Sequence, residues 1–368
     1  MRASLRLAVD GTPLLGHATG VGEVAHGLLY SLSGRDGVEL VAYALTFRGR
    51  EQLADRIPDG VRPAIRPLPA RLVRALWLRT DVPRVERWTG PIDVVHATLI
   101  GPPSRSPVVI TIHDIGFLRF PELCTADTLQ YGRLIRRALD RGAFVHVTSK
   151  YVGDEVRDAF GIDEHRLRHV PLGVRPSAGG DPERGRALAG ATRYVLALGT
   201  VEPRKNLPVL VRAFDKVASV DPAVQLVVAG ADGWGADEFQ AAWAAAQHGD
   251  RVVRLGYVSD AQRRDLLAGA RVLAYPSRYE GFGLVPLEAM AAGIPVVASR
   301  AGALPEVLGD AAVLVDPDDT GGLAAALEQV SADERLREDL VRTGREWVTR
   351  YSWERAGDQF LDFYRSLV

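Results

Sequence analysis

Tyr194-Val195-Leu196-Ala197-Leu198 runs into Gly199-Thr200-Val201-Glu202-Pro203-Arg204-Lys205-Asn206, and a helical pattern begins at Leu207. Five consecutive apolar residues suit a strand buried on both faces, while the glycine, the proline and the two cations suit an exposed turn. Asn206 stands where a helix N-cap is expected, ahead of an amphipathic run to Val217. Strand, turn and helix together form the repeating unit of a parallel sheet, whose strands can only be joined by crossovers.

The same unit recurs in both directions. Downstream, strands are expected at 224–229, 252–255, 272–275, 295–298 and 312–315, with Ser259 and Asp318 or Asp319 as further helix caps. Upstream they are expected at 5–9, 38–45, 92–96, 108–112 and 144–148. Val21, Val24, Ala25, Leu28 and Leu32 follow helical spacing, as do Val152, Val156 and Phe160 behind a Ser149 cap. Between the two series lies the proline- and glycine-dense stretch Pro171 to Pro176, continued by Ser177 to Pro182, which reads as a linker. The fold class is therefore α/β, with doubly wound domains at 1–173 and 174–350 and a terminal helix at 351–368.

Composition excludes several classes. The 45 basic residues face 46 acidic ones, a net charge of -1, and a nucleic-acid partner would call for a basic surface. Cys124 is the sole cysteine, so neither an intrachain disulfide nor a thiolate zinc site can form, and the histidines lack HExxH spacing. No metal or other cofactor is expected. No run of ~18 apolar residues occurs, so the expected location is cytoplasmic, at most peripheral at the inner face of a membrane. Only three of the basic residues are lysines: Lys150, Lys205 and Lys216.

The second chemical stretch is Pro276-Ser277-Arg278-Tyr279-Glu280-Gly281-Phe282-Gly283-Leu284-Val285-Pro286-Leu287-Glu288, which turns from a strand end into a helix. A helix N-terminus offers unpaired N–H groups to an anion, and glycines let backbone approach a phosphate. With Arg204 and Lys205 opposite, the two stretches read as a diphosphate site, while Glu280 and Glu288 can accept hydrogen bonds from sugar and ribose hydroxyls.

On these residues the chain resembles the GT-B glycosyltransferases of family 4, retaining and metal-independent enzymes that use nucleotide-sugar donors. The resemblance also covers Thr19-Gly20-Val21-Gly22 and Thr111-Ile112-His113-Asp114, so it spans nearly the whole chain. It implies two Rossmann-like domains facing a cleft, the first for the acceptor and the second for the donor, with helix 351–368 crossing back onto the first. It assigns Arg204 and Lys205 to the donor diphosphate, Glu288 to ribose, and Glu280 and His113 to the transferred sugar. Donor contacts are further implied for Gly20, Gly22, Thr200, Val258, Phe282, Gly283 and Leu284. Two positions depart from the family pattern: Thr200 stands where many members have a cation, and Glu23 follows Gly22 where a basic residue is common.

The implied reaction moves a hexosyl unit, with mannosyl from GDP-mannose as the first donor, to a glycan or lipid-linked acceptor. A nucleotide-sugar epimerase or hydrolase on the same fold, and a non-catalytic nucleotide-sugar binding protein, are the alternatives. His96 reads as structural or acceptor-side, and Asp316-Pro317-Asp318 as a helix-capping turn rather than a metal motif. Residues 62–87 hold seven arginines among Leu72, Val73, Leu76, Trp77 and Leu78, which suits a basic amphipathic helix touching anionic membrane. The competing reading is a surface helix with its apolar side in the core.

Overall fold

The structure is a computed structural model and describes residues 4–15, 20–46, 50–67, 69–98, 100–175 and 179–368. Thr19 and the linker residues Pro176, Ser177 and Ala178 lie outside the described residues, as does the side chain of Arg71. The chain divides into two units, Met1–Gly173 with Tyr351–Val368, and Val174–Arg350.

Unit 1 contains β1 (Leu5–Asp10), β2 (Val38–Thr46), β3 (Arg62–Pro67), β4 (Val94–Ala97), β5 (Val108–Ile112), β6 (Phe144–Val147) and β7 (Leu167–His169). They form one sheet in the order β3-β2-β1-β4-β5-β6-β7. Unit 2 contains β8 (Tyr194–Leu198), β9 (Gln225–Ala229), β10 (Val252–Gly256), β11 (Val272–Tyr275), β12 (Val296–Ser299) and β13 (Val313–Val315), in the order β10-β9-β8-β11-β12-β13. Every pairing is parallel. The strand order reverses once in each sheet, between β1 and β4 and between β8 and β11, and ligands of such sheets bind at that reversal, beyond the carboxyl ends of the strands.

Central strands β4, β8, β11 and β12 are buried along their whole length, which is why β8 and β11 read as unbroken apolar runs and β4 and β12 are interrupted only by His96 and Ser299. β3 and β7 are edge strands carrying Arg62, Arg66, Arg168 and His169, and charge without an apolar run hides such strands from the sequence pattern. The helix Leu207–Val220 buries Leu210, Ala213, Phe214 and Val217 against β8, β9 and the helix Thr320–Ala332. The leucine, phenylalanine and valine side chains each contribute about 1.5–3 kcal/mol by leaving water, and the alanine methyl less.

Ser149 accepts from the Val152 N–H, Ser259 forms a full capping box with Gln262, and Asp319 accepts from the Gly322 N–H. Asn206 does not cap its helix. It sits in the left-handed region at φ 55°, which asparagine tolerates, and its Nδ2 donates instead to the Pro317 carbonyl at 2.7 Å. The tight turn Pro203–Lys205 before it leaves no extended residue from which a side chain could reach back to the helix N–H groups.

Residues 62–87 are not one amphipathic helix. They comprise β3, the helix Ala70–Trp77 and the start of the short helix Glu86–Thr89. Trp77, expected at a membrane interface, is 1% exposed in the core with Val73, Val85 and Trp88, and its Nε1 donates to the Pro83 carbonyl at 3.0 Å. The largest apolar side chain of the segment gains more from this core than from solvent, and Leu72 and Leu76 are the large apolar side chains described as exposed on the helix. Among the described residues no helix is long and apolar enough to cross a membrane.

The helix Trp353–Arg365 packs within unit 1. A Cβ on Gly27 would lie 2.0 Å from the Trp353 indole, so only glycine admits this approach. Tyr364 joins a buried chain of hydrogen bonds whose direction is set by its far end. The Val170 carbonyl accepts from His146 Nε2 at 2.9 Å, so His146 Nδ1 accepts from Thr111 Oγ1 at 2.9 Å. Thr111 Oγ1 in turn accepts from His96 Nε2 at 2.6 Å, and His96 Nδ1 accepts from the Tyr364 hydroxyl. His96 is thereby structural.

This hydrogen-bonded series holds His96 and His146 neutral. Burial pushes His146 down to about 3 and drives His96 well below the ordinary histidine value, and outside the series it pushes His113 down to about 4. Groups with depressed folded pKa stabilise fully above the unfolded value of 6.5, and that stability is lost as pH falls below it. The loss approaches about 1.4 kcal/mol per pH unit for each histidine. On acidification from pH 7 to 5, hydrogen exchange should lose protection in β4 to β6 before β8 to β12; simultaneous loss would contradict this account.

Candidate active site

In unit 2 the residues after β8 and β11 meet at the sheet's reversal point. Lys205 Nζ lies 2.7 Å from Glu280 Oε1, donates to the Tyr275 hydroxyl at 2.7 Å and stands 4.7 Å from the Tyr275 ring centre. Arg204 lies 2.8 Å from Glu280 Oε2 and 2.7 Å from Glu202 Oε1, and donates to the Tyr279 carbonyl at 2.9 Å. The two turns are joined by the Arg278 N–H, which donates to the Arg204 carbonyl at 2.8 Å. Gly302 supports Glu280 from behind: its φ is +56°, and a Cβ there would lie 2.3 Å from the Glu280 carbonyl oxygen. A cavity opens at Gly199, Lys205, Tyr275, Pro276 and Ser277.

Two cations and two carboxylates make this network neutral in the absence of ligand. Burial alone would raise Glu280, but Arg204 and Lys205 outweigh it and hold the carboxyl down at about 2. Burial likewise opposes the charge on Lys205, and Glu280 overrides it, so its pKa lies above the ordinary lysine value. Burial, reinforced by Glu280, pushes Tyr275 up to about 12. The ammonium and guanidinium are therefore fully charged near neutral pH in a site where Lys205 is 13% and Glu280 9% exposed. Glu280 stabilises unit 2 above its unfolded value of 4.5, and the contribution is lost as pH falls from 4.5 toward 2.

The helix Leu284–Ala291 starts beside this network. Gly283 occupies its N-cap at φ +108° with no capping side chain, so the first-turn N–H groups keep their dipole for an anion. Phe282 is buried, and Leu284 and Glu288 are half-buried. Glu288 does not join Glu280; it is ion-paired with Arg263 of the helix Asp260–Gly269. Thr200 is exposed with no charge to offer, Tyr257 is exposed and Val258 half-buried. Asp318 lies 3.6 Å from Arg278, and among the described residues no group of His, Cys, Asp or Glu could hold a metal ion.

In unit 1, Gly20 and Gly22, which the resemblance would place in a loop beneath the diphosphate, belong instead to the helix Gly20–Leu32, where Gly22 is buried. His113 follows β5, and its Nε2 is buried with no hydrogen-bond partner among the described residues.

Three members of the site escaped the sequence reading. Glu202 lay inside the quoted stretch, and its charge beside Arg204 was the available signal. Tyr275 ended a strand and read as core. Arg263, on an ordinary polar helix face, gave no signal at all.

A doubly wound unit with buried cations and an uncapped helix start at its reversal point belongs to the class of sites that bind phosphorylated ligands. Residues 183–347 match the family described as Glycosyl transferases group 1, and residues 18–178 match Glycosyltransferase Family 4. O-antigen chain mannosyltransferase B of Escherichia coli is 32% identical, over 70% of each chain. The phosphatidyl-myo-inositol mannosyltransferase of Mycobacterium leprae is 31% identical over 77% of each. Sucrose-phosphate synthase from Thermosynechococcus elongatus shares the fold, with a TM-score of 0.77 over 99% of each chain at 23% identity. The chain belongs to the GT-B glycosyltransferases of family 4.

Proposed function

We propose that this glycosyltransferase moves a mannosyl unit, with retained configuration and without a metal ion, from GDP-mannose to a hydroxyl of a glycan or lipid-linked acceptor. The observation that carries the reading is the convergence of Arg204 and Lys205 on one buried carboxylate at the reversal point of unit 2. The mannosyltransferase names of two relatives support the sugar, and the fixed cations support a metal-independent reaction.

In this reaction the bond between the anomeric carbon and the diphosphate oxygen breaks, and a bond to the acceptor oxygen forms on the same face. The acceptor proton passes to the departing phosphate. Negative charge grows on that phosphate as the bond lengthens, and Arg204, Lys205 and the uncapped N–H groups after Gly283 are already aimed where it grows. Because the network is neutral when empty, an incoming diphosphate competes with Glu280 for the cations. The carboxylate so released is available to the hydroxyls of the transferred sugar. For His113, which burial keeps neutral at pH 7, a contact with the transferred sugar is proposed from the family resemblance alone.

A thermal-shift panel of GDP, UDP, ADP and dTDP with their sugars tests the donor, and the expected result is the largest shift with GDP and GDP-mannose. Donor should remain unconverted until acceptor is added. Conversion of donor alone would favour an epimerase or hydrolase, and tight binding with no turnover on any acceptor would favour a binding protein.

A further inference from the structure

We infer that Arg263 is a positioning residue that presets Glu288 for the ribose hydroxyls of the donor. The inference rests on the proposed nucleotide-sugar reading and names a residue outside the two motifs that carry it.

Arg263 and Glu288 are brought together by the fold. β10 is an edge strand and β11 lies beside the reversal point, yet the helices that follow both begin at the same, carboxyl-terminal edge of the sheet. The Ser259 and Gln262 capping box fixes where the first of these helices starts, and buried Leu266 and Leu267 fix its rotation. Arg263 follows that box directly and pairs with Glu288 at the second turn of the helix Leu284–Ala291. A cation so near a helix N-terminus opposes the helix dipole, so its placement there depends on an opposing carboxylate. The two side chains are 27% and 15% exposed, and the pair is screened less than a surface ion pair.

The pair constrains Glu288 in a way the first network does not. A glutamate carboxylate rotates freely about its last bond unless something holds it. The Arg263 guanidinium lies against Oε2 as its ion-pair partner and biases the carboxylate toward that side by charge, and the carboxylate's other lone pairs are the acceptors that vicinal hydroxyls would use. Glu280 is held by Arg204 and Lys205, both of which the diphosphate claims, whereas Glu288 is held by Arg263 on a different helix. Glu288 can therefore keep its partner and its orientation while the donor enters and leaves.

The test is calorimetric titration of the full chain with GDP and with 2′-deoxy-GDP, or with the UDP pair if the thermal-shift panel selects UDP. Wild type should prefer the ribonucleotide. Arg263→Met should weaken ribonucleotide binding about tenfold, the share of one charge-assisted hydrogen bond, and leave the 2′-deoxy affinity unchanged, so that the preference disappears. Glu288→Gln should do the same, and the double variant should be no worse than either single one. If Glu288→Gln removes the preference and Arg263→Met keeps it, Arg263 is a bystander and the inference fails while the donor site stands. If Glu288→Gln also keeps it, the ribose assignment itself is wrong. Should Arg263→Met not fold, Arg263→Lys retains the charge without the fork, and an undiminished preference in that variant overturns the inference.

Discussion

Replacing Lys205 by methionine is expected to lower kcat/KM for the donor about 10²- to 10³-fold while leaving the acceptor KM unchanged. The magnitude is that of removing one preorganised donor from a developing oxyanion. Lys205 is half-buried, charged near neutral pH and held at 2.7 Å by both Glu280 and the Tyr275 hydroxyl, so the exchange of Glu280 for the diphosphate is complete on donor binding and the cation is in place before charge appears on the leaving phosphate. The fold should tolerate the change, because Glu280 keeps Arg204 as its counter-ion at 2.8 Å. Steady-state kinetics with both substrates varied, alongside a melting curve, separates the effects. A variant that melts normally and turns over within threefold of wild type would remove Lys205 from the mechanism.

Glu280→Gln should act in opposite directions on the empty and the nucleotide-bound protein. Without the carboxylate, Lys205 loses the one ion pair it makes among the described residues, while Arg204 retains Glu202. Leaving a buried charge unpaired costs about 3–5 kcal/mol, which for a unit of this size lowers the melting temperature by on the order of 10 °C. A diphosphate supplies the missing negative charge, and it no longer has to displace Glu280 from the cations. Nucleoside diphosphate should therefore stabilise Glu280→Gln more than it stabilises wild type and bind it about tenfold more tightly, although turnover falls. Thermal shift with GDP across a concentration series measures both. Equal shifts in the two proteins would mean that the diphosphate does not bind at these cations.

The parts of the molecule that could be read without coordinates share a physical feature. Strands such as β8, β11 and β12 are buried on both faces, so burial leaves an apolar run that nothing else in the chain imitates. The turns after β8 and β11 were legible because glycine, proline and paired cations are poor material for a core. Edge strands β3 and β7 were not legible, since one open side lets charge replace the run. Trp77 shows the converse error. Arginines around a tryptophan suggest an interface, yet only the position of β2 and the helix Glu86–Thr89 decides that its ring turns inward.

Local sequence alone determined that the chain alternates strands with helices, that its cations sit in a turn past a strand end, and that a glycine-bearing turn opens a helix from another. These features depend on neighbours a few residues apart, and periodicity and turn chemistry report on such neighbours. Tertiary structure decided which charges share a hydrogen bond. Glu280 meets Lys205 across 75 residues of chain and Glu288 meets Arg263 across 25, while Asn206 leaves its expected cap to reach Pro317. Two carboxylates on one short segment thus have different counter-ions, because Glu280 lies in the turn that faces Arg204 and Lys205 while Glu288 lies on the helix after it, facing Arg263.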